Sequence, residues 1–251
     1  SILSVGAVNS SGMIAGFSSY GPTSDGQIKP DVVSLGQGTT ISTTSGTVGS
    51  GSGTSFSGPN MAGLTTCLWQ LFPEFNNWKI ITTLRKSSDR FTTPHEQYGY
   101  GLPDMKKAVG FLLEDISTIN AAVTNCTADI TWSSKDIKTM RYDIERKLPG
   151  ETVYTKIKTV AAKGTVFSNQ NYQFSDIINS SGAGNVSYRI KQVIDTSLTS
   201  FDEYAIDSAI IILSAACAAT NVNDLNNPSK FIQLFPNPVQ SSLTIRLTEQ
   251  R

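Results

Sequence analysis

The chain has 251 residues, with 20 basic and 20 acidic side chains, a single histidine and a charged fraction of only 16%. Balanced charge without a Lys/Arg block gives no footing for a nucleic-acid partner or an acidic membrane surface. Abundant Ser, Thr, Asn and Gly suit a secreted β-rich chain better than a helical cytosolic one, and the length has room for more than one domain.

The first 50 or so residues read as short strands and turns, "ILSVGAV", "AGFSSYGP", "KPDVVSLG" and "TTISTTS", punctuated by Gly and Pro. A helix is predicted after Ser55, with Leu64, Leu68, Leu71 and Phe72 recurring on one face from Met61 until Pro73 stops it. Cys67 falls in that apolar run and is expected to be a buried core thiol. Asn76 or Asn77 caps a second helix through about Lys86, with Trp78, Ile81 and Leu84 inward. A third helix is predicted over roughly 103–112. Strands followed by a long helix directly after a Gly/Ser loop imply an α/β layer arrangement.

After about residue 115 the texture changes. "INAAV", "ADITWSS", "RYDIERK", "YTKIKTVAA", "NYQFSDI", "VSYRIKQVI" and "SAIIILSAA" are seven strand candidates, the pattern of an all-β Ig-like or fibronectin-like sandwich with Trp132, Tyr188 and Ile190 in its core. Cys126 and Cys217 precede the second strand and follow the last, at one pole of such a sandwich. They are either two free thiols or a disulfide closing about 90 residues. The run "SAIIILSAACAA" is too short to span a bilayer. A polar stretch, "ATNVNDLNNPSK", leads to "FIQLFPNPVQSSLTIRLTEQR". There Pro236 and Pro238 forbid a helix, while Leu243, Ile245 and Leu247 share one face of a strand. A segment this small cannot bury a core alone.

The stretch "GSGTSFSGPNMAG" places Ser55 among small residues at a helix start. The first N–H groups of a helix point outward and stabilise a negative oxygen forming beside them, which makes Ser55 the candidate nucleophile. Gly53 is expected to permit a close approach. Ser57, Gly58, Ala62 and Gly63 keep the helix slim, and Pro59 is tolerated in the first turns. For "GTS" alone, a Ser/Thr-capped helix explains the residues equally well.

The longer pattern goes further. "GTSFSGPNMAG" resembles the nucleophile motif of subtilisin-like serine proteases, with Ser55 on the nucleophile. "SVGAV" and "FSSYGPTSDGQIKPDVVSLG" upstream, and "YGYGLPDMKKAV" downstream, resemble the same family in order and spacing, over residues 1 to about 112. The resemblance implies a peptide or protein substrate cleaved through an acyl-enzyme on Ser55, without a cofactor. Structural calcium occurs in the family, but no Asp/Glu cluster here has ligand spacing. Asn60 stands where the family usually has a histidine that is not its base. The family's Asp, catalytic His and oxyanion-hole Asn would all precede residue 1, so the implied partner is an N-terminal half of the peptidase domain. His95, in "TTPHEQYG", has no counterpart role and is expected in a solvated loop. The chain alone is then expected to be inert, and the alternative is a catalytically dead relative serving as a surface-binding or secretion-cargo module.

The later segments resemble the fibronectin type III-like domains of secreted bacterial enzymes, and "FIQLFPNPVQSSLTI" resembles the start of a type IX secretion sorting domain. This implies an outer-membrane shuttle or translocon as partner and a location outside the cell. The expected organisation is a partial α/β peptidase domain over 1–114, a sandwich over 115–217, a linker over 218–230 and a truncated sorting module over 231–251.

Overall fold

A computed structural model describes residues 2–164, 168–197, 200–217, 230–235 and 244–249. Strand β1 (Val5–Val8) pairs in parallel with β2 (Val32–Leu35), Val5 opposite Val32. Ala7, Val8, Val32 and Val33 are all buried, as a parallel pair covered on its faces requires. Helix α1 (Thr54–Leu71) packs on both strands.

The intervening "AGFSSYGP", read among the short strands and turns, is a loop with a turn. Its backbone groups are satisfied locally: Ala15 N–H donates to Ala7 O, Ser18 N–H to Ala15 O, and Gly21 N–H to Lys29 O. Strand β3 (Thr39–Ser42) pairs with β4 (Val48–Gly51) in an antiparallel hairpin. The sequence reading lacked β4, because "VGSG" has little strand propensity of its own.

Helix α1 buries Ser57, Met61 and Leu68, with Phe72 buried at its C-cap. Leu64 is 46% exposed and Cys67 is an exposed free thiol, contrary to the expectation for both. Residues step about 100° round a helix, so Cys67 lies a full step off buried Leu68. Helix α2 (Asn77–Ser87) is capped by Asn76, whose Oδ1 accepts from Lys79 N–H at 2.9 Å. Ile80, Ile81 and Leu84 face inward, but Trp78 is 53% exposed, with the Arg85 guanidinium 5.7 Å from its ring centroid. Helix α3 (Met105–Ile116) starts at an Asp104 cap and runs past the predicted end at 112.

Strands β5 (Thr118–Thr124), β6 (Thr127–Asp136), β7 (Thr139–Lys147), β8 (Thr155–Ala161), β9 (Ser168–Ile177), β10 (Gly184–Ser197) and β11 (Ser200–Leu213) fall where the alternating segments were read. They form two antiparallel sheets, β5-β6-β9 and β11-β10-β7-β8. Ile130, Trp132 and Tyr172 of one sheet share a core with Tyr142, Ile144, Tyr188 and Ile190 of the other, and Trp132 sits edge-on to Tyr142 at 5.8 Å. Buried carboxylates in this core have partners, as desolvated charge demands. Asp136 accepts from Tyr142 at 2.6 Å, Tyr172 at 2.7 Å and Gly164 N–H at 2.9 Å. Burial and the hydrogen bond to Asp136 push the Tyr172 phenol up to about 12. Asp176 accepts from Tyr188 at 2.8 Å and from Arg146.

The two cysteines left open by the sequence form a disulfide, Cys126–Cys217, with a Cα separation of 5.5 Å. Cys126 sits with Asn125 at positive φ, 63° and 47°, in the two-residue turn joining β5 to β6.

The helices and the sandwich share a packed boundary, with Phe72, Leu84 and Leu112 in the same cluster as the sandwich core. The buried Lys135 ammonium pairs with Glu74 at 2.5 Å. Ser117 and Ser134 hydroxyls meet at 2.8 Å, and Ile119 N–H donates to Asp207 at 2.9 Å. Beyond residue 217, β12 (Lys230–Phe235) pairs antiparallel with β13 (Thr244–Glu249). The expected linker, up to residue 229, and Pro236, Asn237, Pro238 and Leu243 lie outside the described residues. No helix among the described residues is long and apolar enough to cross a membrane.

Candidate active site

At the end of β2 the chain reaches Gly36, whose N–H donates to Val8 O at 2.9 Å and whose carbonyl accepts from Gly53 N–H at 2.7 Å. The β3–β4 hairpin therefore leaves and returns at one point, delivering the start of α1 to the C-terminal ends of β1 and β2. The close approach predicted for Gly53 belongs to Gly36. A Cβ at Gly36 would lie 2.8 Å from Ala7 Cβ and 2.9 Å from both Gly53 O and Ser57 Cβ, whereas one at Gly53 would meet nothing nearer than 3.8 Å.

Asn60 supplies a second tie: its Nδ2 donates to Leu35 O at 2.9 Å, fastening α1 to β2. Fully buried Ser57 donates to Thr54 O at 3.1 Å, which closes the first turn from inside.

On this frame Ser55 is the second residue of α1 and is exposed. Gly53 provides no side-chain cap, and the first turn carries no acidic residue. The helix start therefore keeps outward N–H donors and the positive end of its dipole free for an anion. Next to Ser55, Thr54 lines a cavity of about 260 Å³ together with Ser4, Ser19, Tyr20, Lys29 and Pro30.

The wall of that cavity is held by Asp31, which is 1% exposed. It accepts from Ser4 N–H at 2.7 Å, Ser4 Oγ at 2.9 Å, Lys29 at 2.8 Å and Arg85 at 2.5 Å. Burial alone would raise this carboxyl. The donors from Lys29, Ser4 and Arg85 outweigh it and hold Asp31 below its ordinary value. Sequence reasoning quoted "KPD" but missed this hub, because Arg85 joins it from 54 positions away.

His95 is exposed; its Nδ1 accepts from Gln97 N–H at 3.1 Å and its ring lies edge-on to Tyr98. None of its hydrogen bonds joins it to Ser55. Among the described residues no group of three or more His, Cys, Asp or Glu side chains is placed to hold a metal. Gly58 and Gly63 of α1 face open space: a Cβ at either would meet no atom within 4 Å.

A parallel β1–β2 pair leads through a Gly-rich hairpin to an uncapped helix that starts at Gly-Thr-Ser, an α/β arrangement that holds the exposed Ser55 at the helix start. Residues 1–101 match the sequence profile of the Subtilase family, Peptidase S8, so this part of the chain is similar to subtilisin-like peptidases. One solved structure, pectate lyase PelI from Erwinia chrysanthemi in complex with tetragalacturonic acid, matches with 14% identity and a TM-score of 0.27. The match covers 38% of this chain and 27% of that one, and so low a score carries no argument about fold or ligand.

Proposed function

We propose that this chain is the nucleophile-bearing part of a secreted serine endopeptidase, in which Ser55 attacks the scissile carbonyl and forms an acyl-enzyme. The observation that carries the reading is the exposed Ser55 in the uncapped first turn of α1, within the region matched by the Subtilase family. The Ser55 N–H would supply one oxyanion donor. The triad's Asp and His and the second donor, an Asn, would come from an N-terminal half of the peptidase domain. The bare flank of α1, with Leu64 and Trp69 46% and 41% exposed, is in keeping with such a partner.

The sandwich is read as a fibronectin type III-like domain, supported by seven strands in sheets of three and four. The β12–β13 segment is read as the beginning of a type IX sorting domain that hands the protein to an outer-membrane shuttle. Truncation after Lys230 in the full-length protein, followed by cell fractionation, tests that role: normal appearance outside the cell would refute it.

For the catalytic role, the full-length protein is treated with a fluorophosphonate and the adduct mapped. Labelling at Ser55 is expected. Labelling elsewhere, or none although the upstream Asp and His are present, overturns the assignment and leaves the catalytically dead binding or cargo module. Serine-dependent peptide hydrolysis by the isolated 251-residue chain would show that another group serves as base.

A further inference from the structure

We propose that a cavity between α2, α3 and the loop around Phe91 and Tyr100 binds a carboxylate carrying an aromatic or bulky apolar group. The inference does not depend on Ser55. The cavity measures about 320 Å³, at the small end of ligand sites, and suits a body the size of one aromatic amino acid. Phe91, Tyr100 and Phe111 give it three ring walls, and Lys79, Arg85 and Lys86 give it three cations against one acid, Asp115.

The ion pairs decide which charges are available. Lys79 is matched by Asp115 at 2.6 Å, and one terminal nitrogen of Arg85 is matched by Asp31 at 2.5 Å. Lys86 is exposed, has its ammonium 4.1 Å from the Phe111 ring centroid, and forms no ion pair among the described residues. Arg85 lies 5.7 Å from the ring centroids of both Trp78 and Tyr100, and its Nε is buried with no acceptor. A buried donor left without a partner costs about 1–3 kcal/mol, but this one has no accessible surface, so the charge open to a ligand is the Lys86 ammonium.

Charge and shape together choose the ligand. The unmatched Lys86 repels an ammonium, which three aromatic rings alone would attract. A single unmatched lysine favours one negative charge over the two of a phosphate ester. The rings reward an apolar body that inorganic anions lack. An aromatic carboxylate can be a free amino-acid derivative or the C-terminal residue of a peptide, and the two sources share this chemistry.

The test is calorimetric titration of the 251-residue chain with N-acetyl-phenylalanine, its amide, inorganic phosphate, and a pentapeptide ending in Phe with a free or amidated terminus. The free acid is expected to bind saturably with a millimolar Kd. The amide is expected to bind about two- to fivefold more weakly, the worth of one exposed charge. Lys86→Gln should erase the acid–amide difference, whereas Lys106→Gln, whose parent ammonium is held by Asp202 at 2.9 Å, should preserve it. Free-acid peptide binding as well as the amino-acid derivative supports the proposal with chain ends as the source; binding of the derivative alone supports it with a small metabolite as the source. No saturation by about 20 mM, equal binding of acid and amide, an unaffected Lys86→Gln variant, or phosphate binding as tightly as the aromatic acid would each overturn it.

Discussion

The two halves of the molecule hold themselves together differently. Residues 118–217 form sheets of three and four strands whose inner faces cover each other. Residues 2–117 have only two-stranded sheets, β1–β2 and β3–β4, and such pairs are marginal without further cover. Their cohesion comes from helix α1 laid on β1–β2, from the Asp31 hub, and from the boundary where Phe72 and Leu112 join the sandwich core. A sandwich of this kind supplies its own core. Residues 2–117 depend on point contacts and on neighbours, and they leave Ser55 and one flank of α1 open.

The largest break in that contrast should come from the disulfide. Replacing Cys126 and Cys217 by Ser removes a cross-link over 91 positions, worth about 4–5 kcal/mol in the chain-entropy model. Hydrogen exchange should show that loss in β10 and a smaller one in β1. Equal losses would mean that the halves unfold as one unit.

Asp31→Ala should weaken the other half instead, costing about 3 kcal/mol, because Arg85 and Lys29 lose a buried partner. Amides of Val32 and Val33 should lose protection while Tyr188 and Ile190 keep theirs. Smaller again is the boundary. Glu74→Gln leaves the buried Lys135 ammonium without its carboxylate and should cost about 1–3 kcal/mol. Lys135→Met, which removes the charge and keeps the bulk, should stay within about 1 kcal/mol in denaturant unfolding. Equal costs for the two variants would show that the pair, and not the stranded charge, matters.

Acid should expose the smallest difference. Asp31 lies below its ordinary value of 3.8, so its contribution is complete above about pH 4 and disappears as pH falls through the folded-state value. Asp143 behaves likewise in the sandwich: burial raises it, but Thr159, Arg141 and Lys156 hold it lower. Unfolding titrations should therefore lose stability below about pH 4 in both halves. Asp31→Ala should flatten the acid slope only for probes in residues 2–117, and a slope unchanged there would remove Asp31 from the account.

What the sequence made legible follows from the range of the forces involved. Period-two alternation placed all seven sandwich strands, and Asn76 and the 3.6-residue period placed α2, because these signals are local. The exposure of Cys67 and Trp78 was not legible, since an apolar residue in a helix says nothing about which neighbours exist to cover it. The Asp31–Arg85 pair and the Gly36 contact with Ser57 are long-range meetings of residues whose types are locally unremarkable. The helix start at Ser55 was legible because its signals, small neighbours followed by an apolar period, are written within a dozen positions.

The Cys126–Cys217 bond also sets how the molecule would carry a mechanical load. If tension is applied to chain beyond Cys217 while the helices are held, force runs from Cys217 across the sulfurs to Cys126, then back along β5 to Thr118. That path is short and already extended. Everything between the cysteines, 91 positions apart, hangs off it as an unloaded loop, so roughly 300 Å of potential extension is withheld while the bond is intact. The sandwich would then act as an inextensible coupling between residues 2–117 and whatever grips the far end, and reduction would turn it into a long, yielding tether.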